Sequence, residues 1–60
     1  MTYTLTVFDR KGKVLLNESF EANNPERAKQ LGYKMLEEQG YEHHTHRCVS
    51  ADGQLLLFHQ

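Results

Sequence analysis

Between Thr2 and Phe8 the apolar positions alternate, with Tyr3, Leu5 and Val7 separated by threonines. A period of two in a run of aromatic and β-branched side chains predicts a strand with one buried face. Asp9-Arg10-Lys11-Gly12 follows. Its carboxylate at the first turn position can accept from nearby amides, and glycine at the fourth suits a positive φ. Residues 13–20 then return as a second strand.

The period changes at Asn24-Pro25-Glu26. Asn24 can cap a helix with its side-chain oxygen, Pro25 suits the first helical position, and Glu26 suits the positive end of the dipole. The predicted helix spans 25–39. Ala28, Leu31, Gly32, Met35 and Leu36 fall at i, i+3, i+4, i+7 and i+8 and form one apolar stripe. Gly40 stands where a left-handed residue ends a helix, which brings Tyr41 onto Leu36 in a Schellman closure.

Residues 42–49 and 54–59 predict a second hairpin around Ser50-Ala51-Asp52-Gly53, which repeats the chemistry of the first turn. Phe8-Asp9-x-x-Gly12-Lys13-Val14-Leu15-Leu16 aligns with Val49-Ser50-x-x-Gly53-Gln54-Leu55-Leu56-Leu57. Turns of one geometry select the same residues, so the likeness is convergent hairpin chemistry more than duplication. The order ββαββ predicts a single α+β domain over 1–60, a four-stranded antiparallel sheet with one helix on one face. A right-handed crossover between the second and third strands selects the spatial order 2-1-3-4, with 1-2-4-3 as the alternative.

Four-residue turns would pair Phe8 with Lys13 and Val49 with Gln54. Tyr3, Leu5, Val7, Val14, Leu16, Cys48, Leu55 and Leu57 then face the helix, and Phe8, Leu15, Val49, Leu56 and Phe58 fall on the open side. That set is more apolar than a purely solvated sheet face should be, and it is the candidate interface. A three-residue turn with a glycine bulge would instead shift the second strand of each hairpin by one and mix the faces.

Sixty residues leave no room for a second domain or a deep cofactor pocket. Seven basic residues, scattered along the chain, stand against eight acidic ones, for a net charge of −1, which argues against nucleic acid as a partner. The longest apolar run, Leu55-Leu56-Leu57-Phe58, is far too short to span a membrane. Cys48 is the single cysteine and cannot close an intrachain disulfide, so the chain reads as soluble and cytoplasmic. The Asn17-Glu18-Ser19 sequon lies in predicted strand and has no secretory signal before it.

Candidate chemistry is confined to His43-His44-Thr45-His46-Arg47-Cys48 and His59. On a strand His44, His46 and Cys48 project from one face about 7 Å apart, and four-residue turns would place His59 opposite His44. Imidazole and thiolate donors in that arrangement are zinc ligands or a pH-sensitive sheet end. Plain strand packing accounts for the same residues, because cysteine behaves as a small hydrophobe and no second cysteine supports a metal site. A mid-strand thiol in apolar surroundings is a poor nucleophile, and no phosphate loop, paired acids or HExxH pattern is present, so no enzyme is expected.

Leu5-Thr6-Val7-Phe8 with its Gly12 turn, Glu18-Ser19-Phe20-Glu21-Ala22 before the helix, and His44-Thr45-His46-Arg47-Cys48-Val49-Ser50 running into Gly53-x-Leu55-Leu56-Leu57-Phe58-His59 resemble the YhzD-like proteins. The resemblance covers nearly the whole chain. It implies a short bacterial cytosolic protein of no established activity, and it carries over no functional residues. The expected role is a small interaction module whose partner is itself or another protein, with a metal, small-ligand or pH sensor as the alternative.

Overall fold

The computed structural model describes all sixty residues, Met1–Gln60. Strands β1 (Thr2–Phe8) and β2 (Val14–Glu21) precede helix α1 (Pro25–Gln39), and β3 (Thr45–Ser50) and β4 (Leu55–His59) follow it. The strands form one antiparallel sheet in the order β2-β1-β3-β4, so the expected α+β fold and strand order hold.

The helix has the predicted bounds because both of its ends are capped. The Asn24 side chain accepts from the Arg27 N–H at 2.8 Å, satisfying a donor that the first turn leaves unpaired. At the other end Gly40 adopts φ 74°, and Tyr41 N–H donates to the Leu36 carbonyl at 2.9 Å. This is the Schellman closure, and Tyr41 packs half-buried against the core.

Tyr3, Leu5 and Val7 of β1 are fully buried and meet Ala28 and Leu36 of the helix with Cys48 and Leu57 of the second hairpin. Helix and sheet approach closely at Gly32, where an added Cβ would stand 3.2 Å from a Leu57 methyl.

Neither hairpin has a four-residue turn. Asp9 N–H donates to the Lys13 carbonyl at 2.9 Å and Ser50 N–H to the Gln54 carbonyl at 2.9 Å, with Gly12 and Gly53 at φ 84° and 89°. These are three-residue loops closed by a glycine bulge. Next to each turn Phe8 pairs with Val14 and Val49 with Leu55; one step further Val7 pairs with Leu16 and Cys48 with Leu57. Leu15 and Leu56 are therefore the extra residues of a second bulge in each hairpin. Two one-residue shifts restore the parity of the strand, so Leu16 and Leu57 keep the helix side while Val14 and Leu55 change faces.

Candidate functional site

The chain from Tyr41 to His44 is a tight turn, closed by the His44 N–H on the Tyr41 carbonyl at 3.0 Å. The third strand begins only at Thr45, opposite Phe8, where β1 offers its last partner. The expectation of a strand from residue 42 is corrected accordingly. With it goes the shared face of His44, His46 and Cys48, since His44 precedes the strand and its ring packs against Tyr41 at 5.0 Å.

His59 lies opposite His46, not His44, because the two bulges move β4 by two residues relative to the expected pairing. The His46 and His59 rings stack at 5.4 Å with an interplanar angle of 24°. His46 is 5% exposed, and its Nδ1 stands 2.8 Å from the His44 carbonyl oxygen. A carbonyl only accepts, so that nitrogen carries the proton.

Cys48 is fully buried between Leu5 and Leu57 in the ladder, and burial pushes its thiol above the ordinary value. A thiol held neutral in this way is a weak nucleophile and a weak ligand. The four residues proposed for zinc thus split into a ring pair, a turn residue and a core residue. No three His, Cys, Asp or Glu side chains come together anywhere in a metal-binding group.

The open sheet face divides in two. Over β2 and β1 it is polar from Thr2 to Thr6, where Thr2, Thr4 and Thr6 hydrogen-bond across the ladder to Glu21, Ser19 and Asn17, and turns apolar only at the Phe8–Val14 pair next to the turn. Over β3 and β4 it is apolar. Phe58 is 61% exposed opposite Arg47, and Leu55 is 54% exposed opposite Val49. The Arg47 guanidinium lies 5.7 Å above the half-buried Phe8 ring.

Of the predicted interface, Phe8, Val49 and Phe58 are on the open face. Leu56 is corrected: as a bulge residue it is re-aimed and packs against the core. Leu15, the matching bulge residue, is exposed beside Val14. Val14 and Leu55, each cross-strand to an open-face residue, are the positions that the expected register placed wrongly.

A cleft of about 330 Å³, lined among others by Asp9 and Arg10 of the first turn, His43 and His44 before β3 and Thr45 at its start, was not anticipated. Its walls are brought together only by the β1–β3 pairing, and nothing in the local sequence signals it. The Asp9 carboxylate accepts from the Lys11 and Lys13 amides, both at 2.8 Å, and is a turn anchor.

A sheet covered by one helix on one side, with no assembled metal group and with a half-apolar open face, defines a small ββαββ domain whose exposed chemistry is that of a surface. The family model described as YhzD-like protein matches residues 1–60, and the chain belongs to that family. It is 52% identical over 58 residues to the Bacillus subtilis (strain 168) protein described as uncharacterized protein YhzD, covering 97% of this chain and 95% of that one. No solved structure matches.

Proposed function

We propose that this chain is a small, cytoplasmic protein-interaction module that self-associates through its sheet. The observation that carries the reading is the apolar half of the open face, where Phe58 and Leu55 are more than half exposed beside Val49, Phe8 and Arg47. Aromatic and arginine side chains are enriched where proteins meet. A sixty-residue core is also marginal alone, and burial across an interface adds to it. Protein is a better partner than nucleic acid for this surface, because Arg47 is its one fixed positive charge.

The test is solution mass across a wide concentration series, run with zinc and with chelator. A chelator-independent dimer that Phe58→Glu returns to monomer is the expected outcome. A monomer under every condition would overturn the reading. The sensor alternative retains one favourable observation, the His46–His59 stack, which ties two titratable rings to the β3–β4 pairing. A dimer or a melting temperature that responds to zinc would transfer the function to that site.

A further inference from the structure

We infer that the free edge of β4 is the self-association element: two copies pair β4 to β4, antiparallel about a two-fold axis, and join their sheets into one of eight strands. The inference rests on the self-association proposed above and names how it is made. The sheet has two edges, β2 and β4, and they are built differently. An exposed edge is a row of unpaired N–H and C=O groups that templates another strand unless charge, proline or a bulge blunts it.

The β2 edge is blunted. Glu18 pairs with Leu5 and so lies on the helix-side row between Leu16 and Phe20, and Glu21 ends the strand. An inward-row carboxylate on an edge opposes pairing, because a neighbouring strand would desolvate it. Glu18 and Glu21 stand on opposite faces of the strand, so a second copy pairing along this edge would meet a carboxylate on either side. The β4 edge, Leu55-Leu56-Leu57-Phe58-His59, has no acidic residue, lysine, arginine or proline. Its bulge lies at Leu56, which leaves Leu57, Phe58 and His59 as regular ladder.

Antiparallel pairing centred on Phe58 sets that ring against its own copy on the open face and Leu57 against His59 of the second copy on the helix face. No charge meets a like charge, and the most exposed aromatic of the sheet is buried without disturbing the polar β1–β2 half. A five-residue edge makes a small interface, so the dimer is weak and forms with rising concentration.

Amide hydrogen exchange of the unmodified chain at low and high concentration tests this directly. Protection within residues 55–59 that grows with concentration, while residues 14–21 exchange at an unchanged rate, is the expected result. Phe58→Lys, which places an edge charge at the centre of the pairing, should abolish that growth, and Asn17→Lys on the other edge should not. A dimer whose β4 amides exchange at the same rate at every concentration would overturn the edge pairing and leave face-to-face association standing. A chain that is monomeric throughout would overturn both.

Discussion

At the scale of single residues, the turns are held by side chains that replace missing backbone partners. Asp9 does this in the first hairpin and Ser50 in the second, where its hydroxyl accepts from the Gln54 N–H at 3.0 Å and donates to the Asp52 carboxylate. The donated bond holds the Asp52 carboxyl below its ordinary value, and the hydrogen bonds of Thr2 and the chain-terminal ammonium do the same for Glu21. A carboxyl depressed in the folded state stabilises above its unfolded pKa and loses that contribution as pH falls through the folded value. Replacing Ser50 with alanine should therefore raise the Asp52 pKa towards that of a free aspartate. The folded chain should then resist acid over the range just below pH 4 less well than wild type; side-chain carbonyl NMR titration and acid unfolding curves check the two halves.

Elements are decided by their ends. Gly40 at φ 74° is a place where an L side chain meets its own carbonyl, at a cost of roughly 1–2 kcal/mol. Gly40→Ala should lower stability by about that amount, and Asn24→Ala by about 1 kcal/mol through the lost cap; urea midpoints measure both. These two effects are separated by the whole helix and should add in the double variant. At Gly32 the constraint is packing instead of backbone. A larger side chain there would push on Leu57, so Gly32→Val should cost about 1–3 kcal/mol through the helix–sheet contact.

Across the whole molecule, eight buried apolar residues carry the core, and one exposed ion pair, between the chain-terminal ammonium and Glu21, adds little to it. Leu36 is the helix's largest contribution and is 1% exposed. Its replacement by alanine should cost about 2–5 kcal/mol, enough to leave much of a domain this size unfolded, as thermal melts would show. Dimerisation would return part of that loss, so the melting temperature of the Leu36→Ala chain should rise with protein concentration.

The elements, their order and the helix caps were legible in the sequence because each rests on local chemistry: threonines alternating with Tyr3, Leu5 and Val7, proline after Asn24, glycine at position 40. The strand order followed from a right-handed crossover with every neighbour antiparallel, which put 2-1-3-4 ahead of 1-2-4-3. The candidate site was legible only in its residue types. Whether Val14 or Leu15, and Leu55 or Leu56, reaches the open face depends on the two bulges of each hairpin, whose one-residue shifts add to two and restore the parity of the strand beyond them. The same register moved His59 from His44 to His46, and the turn from Tyr41 to His44 took His44 out of the strand. Periodicity specifies which residues want burial; backbone pairing between distant segments decides which of them share a face, and that energy is not written in any short stretch of chain.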